Sequence, residues 1–316
     1  VIWSSYPLRG GGCIRKLMQI MNRTHLDILC LDDVRTPFDE QDVFNKDLST
    51  WIEKTVQKKV HLCFFWPSPI RSVSRFYAFA VDLEGLKICA YLKIAMSEME
   101  CEMLSREVNA NRRMQEVTCS CFAIPQCLAC RRFGLNRSVA IFEPLPSDAT
   151  SIKFDENSWN SEVLNAKNCF AGDLVRLPPS ELHNERWYNI IMSQLAPSTD
   201  FARQVLRSFS YGVDVCRTHG DFACHNFRRA RKKLWIIDWE EYTEKGPCFA
   251  DEICFFLCVR RFHLKWRLRK VFSAFSRCYL EGDEVRRRRA VQALAFLYGL
   301  RISLGKEIVD HWNRIA

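Results

Sequence analysis

No run in this 316-residue chain approaches the ~20 consecutive apolar residues that a membrane-spanning helix needs. The N-terminus, Val1-Ile2-Trp3-Ser4-Ser5-Tyr6-Pro7, lacks the basic-then-apolar layout of a secretory signal. It also lacks an initiator Met, which leaves a fragment of a longer chain as an open reading. Internal repeats and low-complexity tracts are missing, so a repeat array is not expected. Disorder is excluded by what is present: 48% of residues are apolar and 26% charged, enough apolar surface to offset the entropy of ordering. The length suits two domains or one large two-lobed domain.

Sixteen cysteines are the unusual abundance. Disulfide-stapled secreted scaffolds are usually shorter than ~80–100 residues, and this chain can build a core without staples. The cysteines are therefore read as mostly reduced, small buried hydrophobes in a cytoplasmic protein. Acidic residues are in the minority, 37 against 46 basic, for a net charge of +9. That excess permits a nucleic-acid, membrane-surface or anionic-substrate partner and establishes none.

Residues 1–70 look like an α/β lead-in. Helices are expected at Ile14–Met21 and Asp47–Lys58 and strands at Leu26–Leu31 and Val60–Trp66, before the break Trp66-Pro67-Ser68-Pro69. Arg75–Val81 and Leu86–Ala95 then read as a hairpin around Asp82-Leu83-Glu84-Gly85. Ser97–Met114 reads as a helix with a Ser N-cap and acidic first turns. Strands follow at Phe122–Ile124 and Ser138–Glu143, the latter closed by Pro144-Leu145-Pro146. From about residue 158 the pattern is mainly helical, interrupted by a strand-rich island from Asp214 to Trp239.

The most informative segment is Arg217-Thr218-His219-Gly220-Asp221-Phe222-Ala223-Cys224-His225-Asn226, followed by Trp235-Ile236-Ile237-Asp238-Trp239-Glu240. It places a carboxylate and a carboxamide five apart on a loop, ahead of a short apolar strand that ends in a second carboxylate. Phosphoryl transfer from a nucleotide needs such parts: one carboxylate for the attacking hydroxyl, an Asn oxygen and another carboxylate for Mg²⁺. The reaction asks for little beyond positioning and electrostatics.

His-Gly-Asp-x-x-x-x-Asn, then an apolar strand and Asp-Trp-Glu, resembles the catalytic core of the aminoglycoside phosphotransferase and choline kinase superfamily, small-molecule relatives of the protein kinases. The resemblance covers roughly residues 75–260 and is strongest at 217–257. It implies an α+β, two-lobed protein-kinase-like fold: a small β-rich N-lobe (71–146), a larger helical C-lobe (147–316) and an α/β N-terminal extension (1–70). It implies Asp221 as catalytic base, with Asn226 and Asp238 as Mg²⁺ ligands. Lys93, on the return strand, would hold the ATP phosphates, oriented by Glu107 fourteen residues on. A Lys in an apolar strand is costly to bury unless paired, so these two expectations support each other. Phe142, Glu143 and Leu145 fall where the family has its interlobe hinge and adenine contacts. Asp251, in Gly246-Pro247-Cys248-Phe249-Ala250-Asp251-Glu252, would be structural, on a helix bracing the catalytic loop.

The sequence departs from the family at three places. The 76–85 hairpin has a single Gly and no Gly-rich phosphate loop, His225 stands where relatives often carry Gly or Trp, and Cys224 where they often carry Pro. Elsewhere, Cys119, Cys121, Cys127 and Cys130 could close a zinc site. Their pairs are only five residues apart, where structural sites usually have ~12–20, so free thiols are preferred. The basic runs Arg228–Lys233 and Arg286–Arg289 read as a solvated hairpin tip and a solvated helix face, the latter backed by an apolar stripe of Ala290, Leu294 and Leu297. Neither has the aromatic interleaving of a single-strand nucleic-acid surface.

The expected activity is ATP- and Mg²⁺-dependent phosphoryl transfer to a hydroxyl of a small molecule or glycan. Between Cys254 and Arg289 the basic residues outnumber Glu281, Asp283 and Glu284, which favours a neutral or anionic acceptor, or one presented at an anionic membrane surface. The competing readings are a nucleotide-binding pseudokinase scaffold and a basic nucleic-acid-binding protein. Oligomeric state is not legible.

Overall fold

The computed structural model describes residues 43–65, 75–85, 87–117, 120–156, 161–300 and 302–315. The expected helix at Ile14–Met21, the strand at Leu26–Leu31 and the break at 66–69 lie outside the described residues, as does Cys119. The chain divides into two compact units. The first comprises residues 1–116, 124–151 and 229–235, and the second residues 117–123, 152–228 and 236–316.

The first unit is built on an antiparallel sheet. Its strands are β1 (Val60–Phe65), β2 (Arg75–Asp82), β3 (Lys87–Ala95), β5 (Cys127–Arg132) and β6 (Ser138–Phe142), in the order β1-β2-β3-β6-β5. A two-residue strand β4 (Phe122–Ala123) precedes β5 in the chain and belongs to the second unit. The sheet thus takes in residues 60–65, N-terminal to the boundary drawn at 70. Alternation of side chains along each strand separates two apolar layers. On one face Phe76, Ala78, Leu92, Ile94, Val139 and Ile141 pack with Leu48 and Ile52 of helix α1 (Val43–Val56). On the other, Ala95, Ala140 and Phe142 pack with Cys101, Leu104 and Val108 of helix α2 (Glu98–Glu116). With Leu92 and Ile94 turned to α1, strand alternation turns Lys93 to α2. The N-cap at α2 is as expected, the Ser97 hydroxyl accepting from the Glu100 N–H at 3.3 Å. Strand β5 is not evident in the sequence, because an edge strand with four of its six side chains exposed can carry cysteines and arginines in place of an apolar alternation.

The second unit combines a small antiparallel sheet with seven helices among the described residues. Strands β8 (Val175–Leu177), β9 (Val213–Thr218) and β12 (Thr243–Pro247) pair in the order β12-β9-β8. Short strand β7 (Thr150–Ser151) belongs to the first unit, and β10 (Phe227–Ala230) and β11 (Lys233–Ile236) form a hairpin whose residues 229–235 are also assigned to it. The helices are α3 (Ser161–Ala171), α4 (Arg186–Gln194), α5 (Asp200–Phe209), α6 (Ala250–Cys258), α7 (Leu268–Phe275), α8 (Glu284–Gly299) and α9 (Ser303–Ile315). Helix α8 departs from the amphipathic expectation. Every residue from Ala290 to Leu297 is buried, because α4, α5, α6 and α9 all pack around it. Gln292, the polar residue in that stretch, donates to the Ser208 and Gly212 carbonyls at 2.8 and 2.9 Å, so its amide is not left unpaired.

Candidate active site

In the second unit, β9 delivers the chain into the loop 219–226, which is fixed from below. Asp251, fully buried near the start of α6, accepts from the His219 N–H at 2.8 Å and the Gly220 N–H at 2.9 Å. Burial pushes the Asp251 carboxyl above the usual carboxylate value, a trend opposed by His219 and the two amide donors. Gly220 adopts φ +85°, and a Cβ there would run into the carbonyl oxygen of Glu241, so only glycine fits. His219 is also buried. Its Nε2 lies 3.0 Å from the Ile237 carbonyl oxygen, which can only accept, so Nε2 carries the proton. Its ring packs on Trp239 at 4.5 Å between centroids.

Both polar residues of interest are anchored by the phenylalanine that follows them. Phe222 and Phe227 are fully buried and meet edge to face at 4.7 Å, which holds Asp221 and Asn226 at the edge of an aromatic core. Asn226 Nδ2 donates to the Asp221 main-chain oxygen at 2.8 Å and to its carboxylate at 3.2 Å. The other carboxylate oxygen lies 3.9 Å from the Cys254 thiol. Asp221 keeps partial solvent access, its side chain 20% exposed.

The third residue, Asp238, joins this group through the backbone of its neighbour. Ile237 donates its N–H to the Asn226 carbonyl at 3.1 Å, and its own carbonyl receives the His219 ring. Asp238 itself sits at φ +69°, a left-handed conformation that Asp tolerates better than most residues and that breaks the strand direction after β11. His225 projects from the outer side of the loop, its Nε2 3.7 Å from the Asp221 carboxylate. Partial burial disfavours its charged form, but Asp221, with Cys224 and Asp238, outweighs this and holds its pKa above the usual value.

The site's composition fits a hard divalent cation, which takes oxygen ligands. Because Asn226 commits its NH₂ to Asp221, its Oδ1 is left without a donor among the described residues, and Asp238 is the next residue after Ile237, whose N–H bonds the Asn226 carbonyl.

In the first unit Lys93 and Glu107 meet as a bidentate pair, Nζ to Oε1 2.6 Å and to Oε2 2.8 Å, both side chains buried. Glu107 lies in the same helical stripe as Leu104 and Val108, so its carboxylate faces the sheet where strand alternation has put Lys93. Phe142 ends β6 and is buried, while Glu143 and Leu145 are half-buried. The Glu143 N–H donates to the Gln126 carbonyl at 2.8 Å.

Some basic residues are not where the sequence suggests. Arg228 is buried, its guanidinium donating to the His225 carbonyl at 2.7 Å, and only the tip beyond it is solvated. That tip turns at Arg231 and Lys232, both at positive φ. Arg289 leaves the solvated helix face to pair with Asp214 at 2.7 Å, opposite Arg176, also at 2.7 Å. Arg261 and Lys270 pair with Glu307 and Glu156. Such long-range pairs leave no local signal in the sequence. Among the described residues no group of three or more cysteines is close enough to share a metal ion, and no helix is long and apolar enough to cross a membrane.

No protein-family model matches the sequence, and no curated protein matches it. Solved structures do match. Aminoglycoside phosphotransferase APH(4)-Ia superposes with a TM-score of 0.53 at 12% identity, covering 85% of this chain and 96% of that one. A thermostable variant of the same protein, in complex with ADP and hygromycin B, gives 0.52 at 11% identity with the same coverage. Its apo form gives 0.51 at 12%, covering 84% and 96%. The chain has the α+β, protein-kinase-like fold of the aminoglycoside phosphotransferases.

Proposed function

We propose that this protein is a phosphotransferase that moves the γ-phosphoryl group of ATP to a hydroxyl of a small molecule or glycan. The observation that carries the reading is the pinning of Ile237. Its N–H and C=O are both held by the 219–226 loop, which fixes the backbone one residue before Asp238 against Asn226 and His219 and supports a shared role for Asp238, Asn226 and Asp221. In this reading Asp221 accepts the proton of the attacking hydroxyl. The Asn226 amide, donating to that carboxylate at 3.2 Å, orients it, and Phe222 and Phe227 limit its motion. Asn226 Oδ1 and the Asp238 carboxylate would hold Mg²⁺, which when bound neutralises phosphate oxygens. Lys93, kept in place by Glu107, would bind phosphate oxygens, and Phe142, Glu143 and Leu145 would line the base. Retention of all five polar residues favours an active enzyme over a pseudokinase scaffold. The acceptor is neutral or anionic in this proposal, because acidic residues that would meet a polycation are few between 254 and 289.

The test is ATP turnover against a panel of sugars, nucleosides and amino alcohols, run beside Asp238→Ala. Wild type should turn over with at least one acceptor, and Asp238→Ala should lose both turnover and Mg²⁺-ATP affinity. Unchanged turnover in that variant would sink the assignment.

A further inference from the structure

The loop that carries Asp221 and Asn226 also carries a thiol that faces another thiol. Cys224 Sγ lies 3.1 Å from Cys258 Sγ at the C-terminal end of α6. Cys258 is 1% exposed, whereas Cys224 keeps partial access to solvent. Neither sulfur has a part in the proposed phosphoryl transfer. We propose that Cys224 and Cys258 form a thiol-oxidation site that a small hydroperoxide closes reversibly to a disulfide, and that closure arrests the loop.

The chemistry balances without any further reactant. The Cys224 sulfur attacks one oxygen of hydrogen peroxide; an S–O bond forms as the O–O bond breaks, and water leaves with the thiol proton. The Cys258 sulfur then displaces the hydroxyl from the resulting sulfenic acid. The S–S bond forms as S–O breaks, and the departing hydroxyl takes the Cys258 proton as a second water. Two thiols and one peroxide thus give one disulfide and two waters. Access assigns the order: the reachable sulfur is oxidised and the buried one resolves it.

Closure has a mechanical consequence. A disulfide holds its sulfurs at ~2.05 Å, so the pair must draw in by about 1 Å from its present separation. Cys224 stands between Asp221 and Asn226, and α6 also supplies Asp251, which anchors the loop amides. The loop therefore moves against its own brace. A misplacement of ~1 Å in a positioned catalytic group costs on the order of 10²-fold in rate. This kinetic consequence rests on the phosphoryl-transfer reading, whereas the disulfide itself does not.

The experiment treats the reduced full chain with hydrogen peroxide, alkylates the remaining thiols and maps the peptides by mass. The expected product is a cross-linked pair containing Cys224 and Cys258, lost on treatment with dithiothreitol, while Cys258→Ala leaves a dimedone-trappable sulfenic acid at Cys224. Turnover of the oxidised protein should drop ~10²-fold and return on reduction. Cys224 and Cys258 remaining alkylatable, or a disulfide joining either to a different cysteine, would overturn the site. A Cys224–Cys258 disulfide that leaves turnover unchanged would overturn the arrest. If the reduced protein turns over no acceptor, the phosphoryl-transfer reading fails, and the peptide map still decides the oxidation site.

Discussion

Replacing Glu107 by Ala removes the carboxylate that holds Lys93 through contacts of 2.6 and 2.8 Å. The two side chains are 7% and 5% exposed, so water cannot take over the lost interaction. An exposed pair would be worth ~0–1 kcal/mol, but breaking a buried one by removing a single partner costs ~3–5 kcal/mol. Against a typical total stability of ~5–15 kcal/mol, that is a large fraction. The double variant Lys93→Met/Glu107→Leu separates this penalty from simple loss of contacts. Substituting a buried pair by apolar side chains of similar volume is often neutral or better, so the double variant should recover most of the stability that Glu107→Ala loses. The assay is urea denaturation followed by tryptophan fluorescence, with ATP turnover measured on each protein. Turnover should stay lost in the double variant, since its fold is restored but its phosphate-binding ammonium is not. A Glu107→Ala penalty under ~1 kcal/mol, or a double variant weaker than the single, would refute the burial argument. A fully active double variant would refute the role given to Lys93.

Asp221→Asn should leave nucleotide binding nearly intact and lower kcat by ~10²–10⁴-fold, the usual range for a general base; loss of ATP affinity with kcat preserved would reverse the roles given to Asp221 and Asp238. Gly220→Ala should destabilise the protein by more than ~1 kcal/mol in urea denaturation, because φ is +85° and the added methyl meets the Glu241 carbonyl. Burial works against the ionised Asp214 carboxyl, but Arg176 and Arg289 prevail and lower its pKa below the usual carboxylate value. Its contribution is therefore present above about pH 4 and lost as pH falls through the lowered value, so Asp214→Asn should flatten the fall in urea midpoint below about pH 4. In competition at moderate salt, neutral sugars should be phosphorylated faster than kanamycin-like polycations, and the opposite order would show that the charge balance of residues 254–289 does not set the acceptor.

The parts of this protein that were legible from sequence are those whose physics is local. The apolar, strand-forming composition of β2 and β3 around the turn 82–85, the Ser97 cap of α2 and the spacing of His219, Asp221, Asn226 and Asp238 each appear as a short-range pattern. The Lys93–Glu107 pair could also be anticipated, because an ammonium in an apolar strand requires a partner and α2 is the next element in the chain. Other features belong only to the tertiary structure. Strand β5 has no strand-like pattern, since an edge position with one solvated face selects weakly. Helix α8 carries a run of arginines that reads as a solvated face, yet four helices enclose its second half and Arg289 pairs with Asp214, seventy-five residues away. The meeting of Cys224 and Cys258, thirty-four residues apart, is of the same kind. Local patterns record what a residue's immediate backbone demands, whereas partners brought together by packing leave no periodicity to read, so only the folded chain decides which charges and thiols face each other.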